Sequence, residues 1–188
     1  MKALTILAST AVAAATFVAL APVAAASIKD PNDHPQYQAE LEPHLTTILM
    51  RYNYAGRKGG RAFRSFGDPE WGAGFRASIE IGDPMFIPKL NNTIAITFGG
   101  DITDCYYCYR DYWIWSPVAL QWNFFFHRKF SAFADIGAVV RSDGFLHDLY
   151  VDPAFMVGGR VHISDKVAFT FRGGIPFFNL GFSFFVGS

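Results

Sequence analysis

The last third of the chain, Val151–Val186, constrains the fold most strongly, because apolar and polar residues alternate there. One set of positions is mostly large and apolar: Val151, Phe155, Val157, Val161, Val167, Phe169, Phe171, Phe178, Leu180, Phe182, Phe184 and Val186. The intervening positions are mostly small, polar or charged: Asp152, Ala154, Met156, Arg160, His162, Ala168, Thr170, Arg172, Asn179, Gly181 and Ser183. Side chains alternate between the two faces of a β-strand, so this pattern predicts three strands, each with one apolar and one polar face.

The same period of two continues upstream and predicts five further strands. The predicted strands are His44–Tyr54, Trp71–Ile81, Asn92–Gly100, Tyr112–Phe126, Phe130–Arg141, Val151–His162, Val167–Arg172 and Phe178–Val186. Most are near or above the about 9–11 residues that a tilted strand needs to cross a bilayer. Pro117 predicts a bulge in the fourth strand, because proline cannot donate to the strand ladder.

The connections between the predicted strands differ in length. The long ones are Ala55–Glu70, Asp101–Asp111 and Ser142–Leu149, and the tight ones are His127–Lys129 and Ser164–Lys166. Membrane barrels show such an asymmetry, with short turns at one end and longer loops at the other. Two connections fit the alternation less well, since Gly82–Asn91 is long for a turn and Gly173–Ile175 is short for an outer loop.

The start of the chain has the features of a secretory signal peptide. Lys2 precedes an apolar run to about Val23, and a small-residue cleavage site ends at Ala26. We therefore expect a signal peptide over residues 1–26, an irregular periplasmic lead over 27–43 and a barrel over 44–188. A membrane-anchor helix fits less well, because no stop-transfer pattern follows. The formal net charge of zero gives no electrostatic basis for binding nucleic acid.

Charged residues decide which face of the strands looks inward. They lie opposite the large apolar residues, at Arg51, Arg76, Glu80, Asp135, Asp152, Arg160 and Arg172. An arginine facing lipid at the midplane costs about 2–4 kcal/mol, so four would cost on the order of 10 kcal/mol. In a soluble barrel the numerous large rings would overpack an eight-stranded interior. We therefore expect a transmembrane barrel with apolar residues on lipid and the charged residues paired in the lumen.

The two cysteines form one Cys105-Tyr106-Tyr107-Cys108 unit. In an exported protein this spacing favours a small disulfide. A zinc site needs about four ligands, and no second cysteine pair follows, so we expect no metal site and no cofactor. A redox role stays open, although the thioredoxin-like context of strands and helix is missing.

The chain resembles the small eight-stranded outer-membrane barrels, the OmpA/OmpX/OmpW-like group, over about Leu45–Val186. The last strand is similar to the signal that barrel-insertion machinery reads in that group, carried here by Asn179, Gly181, Phe184 and Val186. Many such chains end on an aromatic residue, whereas this one continues with Gly187 and Ser188. The resemblance implies a bacterial outer-membrane location, with membrane lipid and the insertion machinery as partners.

Three functions are compatible with this reading. We expect a non-enzymatic barrel with a structural or surface-binding role and a lumen plugged by charged pairs. The alternative is a narrow channel or a carrier for small apolar molecules. An outer-membrane lipid-modifying enzyme is less favoured, because its histidine and acid would have to come from His147-Asp148 or from His162 with Ser164 and Asp165. The sequence does not indicate an oligomeric state.

Overall fold

The computed structural model describes residues 28, 29, 34, 37–53, 63–83, 87, 89–105, 111–145 and 148–187, without the side chains of 49–53 and 63–68. The predicted signal peptide over residues 1–26 lies outside the described residues. No helix among the described residues is long and apolar enough to cross a membrane.

Eight antiparallel strands form one closed barrel in which each strand pairs with its sequence neighbours and β1 pairs with β8. The strands are β1 (Ala39–Asn53), β2 (Phe63–Gly82), β3 (Asn92–Asp104), β4 (Tyr112–His127), β5 (Phe130–Asp143), β6 (Tyr150–Ser164), β7 (Val167–Ile175) and β8 (Phe177–Val186). The predicted all-β, up-and-down, eight-stranded barrel is therefore confirmed.

The barrel has a turn end and a loop end. Residues 128–129 and 165–166 are the tight turns at the turn end, where the connection 83–91 also lies. The longer connections 54–62, 105–111 and 144–149 lie at the opposite end, together with the single residue Pro176 between β7 and β8. The long connection at the turn end is therefore a real feature of the barrel. The predicted connection Gly173–Ile175 is wrong in position, because these residues belong to β7 and only Pro176 separates β7 from β8.

Strand β1 begins at Ala39 rather than at His44, so residues 39–43 belong to the barrel and not to an irregular lead. Pro43 suggested an interruption, but it faces a gap in the β1–β8 ladder. The ladder pairs Leu41 with Phe184 and resumes only at His44 with Gly181, while Pro43 stays opposite Phe75 of β2. Because the missing N–H falls in that gap, proline is tolerated there.

Two further expectations about the strands are wrong. Strand β2 begins at Phe63, so the second half of the predicted loop Ala55–Glu70, residues 63–70, is strand. The bulge predicted at Pro117 is absent, since the β3–β4 register is unbroken across it, from Phe98↔Val118 to Asp101↔Trp115. The sheet accommodates the proline by leaving Gly99 and Gly100 of β3 unpaired with β4, although both pair with β2.

The faces of the barrel are inverted relative to a soluble protein. Ile136, Phe155 and Phe182 on the outer face are 64%, 55% and 47% exposed, whereas Arg160 and Arg172 are 1% and 0% exposed. Of the charged residues expected to face the lumen, five are buried: Arg76, Asp135, Asp152, Arg160 and Arg172. Glu80 is only half-buried, and the side chain of Arg51 lies outside the described part. Ile48 is an exception among the large apolar side chains, since it is buried inside the barrel at 2% exposure. It has the same phase as the inward residues that precede it, and the register shifts only between Ile48 and Met50.

This inversion indicates that lipid, and not water, surrounds the outer face of the barrel. A closed barrel has no edge strand, so its backbone hydrogen bonds are made largely within its own wall, as a hydrocarbon environment requires. An apolar exterior around a polar lumen is the arrangement of bacterial outer-membrane barrels, whose long loops face outside and whose short turns face the periplasm. The protein is a transmembrane β-barrel of this type.

We expect the variant Ile136→Arg to lower the free energy of unfolding in phospholipid vesicles by about 2–4 kcal/mol, because the position lies midway along β5 on the outer face. Urea unfolding measures the effect. The matched control is Leu149→Arg, at an exposed residue of the loop between β5 and β6, which should stay within about 0.5 kcal/mol of the parent. Equal, small effects at both positions would show that Ile136 faces water.

Candidate functional site

The most distinctive site of this barrel is its lumen, where charged side chains from several strands meet near the middle of the barrel. Arg76, Arg160 and Arg172 enter from β2, β6 and β7, each at an inward phase of its strand. Four buried carboxylates come from β1, β3 and β5, namely Glu40, Glu42, Asp101 and Asp135. All of these groups lie in a space that excludes bulk water, so each charge needs a partner.

Arg160 makes the densest set of contacts. Its Nε and Nη2 donate to the two carboxylate oxygens of Glu40 at 2.8 and 2.7 Å. Its Nη1 donates to Oδ1 of Asn123 at 2.9 Å, and Nη2 also donates to Oε1 of Gln121 at 3.0 Å. This two-point pairing with a carboxylate is the strongest geometry available to a guanidinium group.

Arg172 joins two carboxylates. Its Nη2 donates to Oε2 of Glu42 at 2.9 Å, and its Nε lies 3.3 Å from Oδ2 of Asp135. The other oxygen of Asp135 accepts a hydrogen bond from Gln121 at 3.0 Å. Because Gln121 also accepts from Arg160, the two arginine pairs belong to one network.

Arg76 and His44 share Asp101. Nη2 of Arg76 lies 3.4 Å from Oδ2 of Asp101, and Nε2 of His44 lies 2.7 Å from Oδ1. Nδ1 of His44 lies 3.1 Å from the carbonyl oxygen of Glu42. Both ring nitrogens therefore face hydrogen-bond acceptors. A Cβ on Gly74 would collide with the Asp101 carboxylate and the His44 ring, so glycine makes room for this pair.

Two apolar clusters close the lumen on either side of the ion pairs. The loop-end cluster lies toward the long loops and consists of Ile48, Trp115, Val139, Ala154, Met156 and Phe177. The turn-end cluster lies toward the tight turns and consists of Tyr37, Phe125, Ala168 and Phe185. Tyr37 precedes β1, and burial raises the pKa of its hydroxyl above the usual range. The lumen is therefore filled by side chains along its length, as expected for an eight-stranded barrel.

A separate charged group lies at the loop end. Nε of Arg141 lies 3.7 Å from Oδ2 of Asp152. The guanidinium also lies over the rings of Trp113, Trp115 and Tyr150, with centroid distances of 4.5, 5.3 and 5.0 Å. These rings are favourable neighbours for a cation.

The structure brings together only part of the predicted charge network. Arg76, Asp135, Arg160 and Arg172 lie together in the lumen, whereas Asp152 pairs with Arg141. Glu80 lies at the turn end, and the side chain of Arg51 is outside the described part. The sequence reasoning missed the partners Glu40, Glu42, His44, Asp101 and Arg141. Continuing the strand alternation backward from His44 would have found the two glutamates.

The predicted disulfide is supported for one of its two cysteines. Cys105, at the end of β3, is buried and disulfide-bonded. Its predicted partner Cys108 lies outside the described residues, so the pairing stays a prediction.

The residues of the predicted insertion signal divide between the two faces of β8. Asn179 and Gly181 face the lumen, where Thr46 donates to Oδ1 of Asn179 at 3.0 Å. Phe184 and Val186 face outward and are exposed. Gly181 lies against β1, because a Cβ there would collide with the carbonyl oxygen of Pro43. The close approach of β1 and β8 is thus a physical reason for glycine at position 181, independent of any insertion signal.

The combinations of histidine with an acid or serine that were considered for catalysis are not formed among the described residues. Nε2 of His162 lies 3.0 Å from Oγ of Ser131, a residue of β5, and the imidazole stacks on Phe185. Ser164 instead accepts a hydrogen bond from the backbone N–H of Lys166. His147 lies outside the described residues.

No family model and no curated protein matches this chain. The solved structures with a similar fold include two outer-membrane proteins. The attachment invasion locus protein Ail of Yersinia pestis is 8% identical with a TM-score of 0.47, over 79% of this chain and 98% of its own. The outer membrane protein OprG of Pseudomonas aeruginosa is 10% identical with a TM-score of 0.43, over 84% of this chain and 100% of its own.

Replacing Arg160 by leucine leaves Glu40 buried without its cation. We expect the free energy of unfolding to fall by about 3–5 kcal/mol, measured by urea unfolding in phospholipid vesicles. The double variant Glu40→Gln with Arg160→Leu removes both charges and should recover part of that loss. An unchanged free energy in the single variant would contradict a buried pair.

Gly181→Ala should weaken the seam between β1 and β8 by about 1–3 kcal/mol, because the added methyl overpacks against the backbone of Pro43. Refolding the purified chain into vesicles without insertion machinery, followed by unfolding, isolates this effect. Gly173→Ala in β7 is the matched control, since its Cβ would meet the Phe178 ring at an ordinary 3.4 Å. Equal losses in the two variants would rule out seam packing as the reason for glycine.

Proposed function

We propose that this protein is a non-catalytic outer-membrane barrel with a structural or surface-binding role. In this proposal the side chains that plug the lumen make the wall rigid, and the rigid wall holds the outer loops in place. The observation that carries the proposal is the filled lumen. Arg160 with Glu40 and Arg172 with Glu42 cross it, and an apolar cluster lies on each side. A lumen occupied in this way leaves the loops and the lipid-facing wall as the surfaces available for function.

The rigidity of the wall supports a role in presenting loops. Arg160 and Glu40 are 120 residues apart in the sequence, so their pair ties β6 to β1 through the middle of the barrel. Arg172 ties β7 to β1 in the same way. Binding residues are often carried on loops that a rigid scaffold positions. The disulfide at Cys105 would add local order where β3 enters its outer loop.

The absence of catalysis is part of the proposal and is supported by the two described histidines that lie inside the barrel. His44 and His162 are buried, and their partners are Asp101 and Ser131 inside the barrel. A nucleophile and its base must reach a substrate, and lipid or peptide cannot reach these side chains through a filled lumen.

Electrical recording from planar bilayers tests the plug. We expect no steady conductance from the reconstituted, heat-modifiable barrel, because an eight-stranded lumen filled with side chains leaves no continuous water path. A large porin reconstituted in parallel is the positive control.

Stepwise openings that scale with the amount of folded barrel would overturn the plugged state and support a narrow channel. Saturable uptake of an apolar fluorescent reporter into barrel-containing vesicles would instead support the carrier. Release of fatty acid from the vesicle phospholipid, lost on heat unfolding, would contradict the absence of catalysis.

A further inference from the structure

Three potential metal ligands meet at the turn end, outside the lumen network. They are His34 in the segment before β1, Glu80 near the end of β2, and Asp83 just after β2. One ligand atom from each lies within 4.8 Å of the other two. His34 comes from a different segment than Glu80 and Asp83, and for this reason no spacing motif in the sequence predicted a metal site.

His34 is held in a defined orientation. Its ring stacks on Phe125 with a centroid distance of 4.7 Å and an interplanar angle of 16°. Its Nδ1 lies 2.7 Å from Oδ1 of Asn91, and the backbone N–H of Asn91 donates to the carbonyl of Ile28 at 2.8 Å. An amide oxygen is a hydrogen-bond acceptor, so this contact with Nδ1 orients the ring. Metal-binding histidines commonly have such an outer partner, which fixes their tautomer.

Glu80 is positioned by the backbone and has an unsatisfied oxygen. Its N–H donates to the carbonyl of Gln38 at 3.1 Å, which joins the end of β2 to the segment that leads into β1. Its Oε2 is buried and has no hydrogen-bond partner among the described residues. Asp83 places a second carboxylate nearby. Two carboxylates this close repel each other, and a bound cation would remove the repulsion and satisfy the buried oxygen.

We propose that His34, Glu80 and Asp83 bind one divalent transition-metal ion at the periplasmic mouth of the barrel. One imidazole nitrogen with two carboxylate oxygens suits Zn²⁺ and similar ions, whereas Mg²⁺ and Ca²⁺ prefer oxygen ligands alone. Three protein ligands leave at least one position for water or for a group from another molecule. The ion ties the segment before β1 to the end of β2, across the turn-end opening.

Calorimetric titration of the folded, tag-free barrel with zinc chloride tests the site. We expect one Zn²⁺ per barrel, and we expect excess Mg²⁺ to leave the titration unchanged. Asp83→Asn should weaken binding by about tenfold or more. Asp83 is exposed, so this variant should still fold, and heat-modifiable gel migration verifies that. The matched control is Asp165→Asn in the β6–β7 turn, an exposed acid at the same end that should leave binding unchanged.

His34→Ala and Glu80→Gln are expected to weaken Zn²⁺ binding at least as much as Asp83→Asn. Absence of saturable binding to the parent barrel would overturn the site. Binding that Asp83→Asn and Asp165→Asn reduce equally would also overturn it, since that result indicates diffuse attraction to surface acids. Loss of binding in all three ligand variants, with folding and the control intact, supports it.

Discussion

Burial of arginine inside a narrow barrel is the constraint on which the rest of the structure depends. A guanidinium group cannot shed its charge, so Arg76, Arg160 and Arg172 need carboxylates at fixed positions across the lumen. A slip of one residue in any of their strands would turn these side chains toward lipid. The pairs therefore specify the strand register more than they stabilise the fold, because a buried ion pair contributes little net free energy but is costly to break.

Phe133 helps to explain how the arginines lie close together. The guanidinium groups of Arg160 and Arg172 lie over its ring at 4.2 and 4.8 Å from the centroid. The negative face of an aromatic ring attracts cations, and this attraction offsets part of the repulsion between like charges. Gln121 and Asn123 then supply neutral acceptors where no further carboxylate fits.

Most of the wall could be predicted from the sequence, because strand alternation is a local property. The partners in the lumen could not, because they are set by the closure and stagger of the whole barrel. Asp135 and Arg172 were recognised as inward residues. Glu42, the second carboxylate that pairs with Arg172, was not, because it precedes Pro43 in what was predicted to be an irregular segment. His34 likewise meets Glu80 and Asp83 only because the fold brings the segment before β1 to the end of β2.

The loop-end and turn-end clusters also determine how the surroundings act on the barrel. Dissolved ions weaken attractions between charges that water reaches, over a distance of about 8 Å at physiological ionic strength. The lumen pairs lie behind two apolar layers, so changes in salinity outside the cell leave them unscreened. A wall held together in this way keeps its rigidity over a wide range of salt concentrations, whereas charges that water reaches are screened as the salt concentration rises.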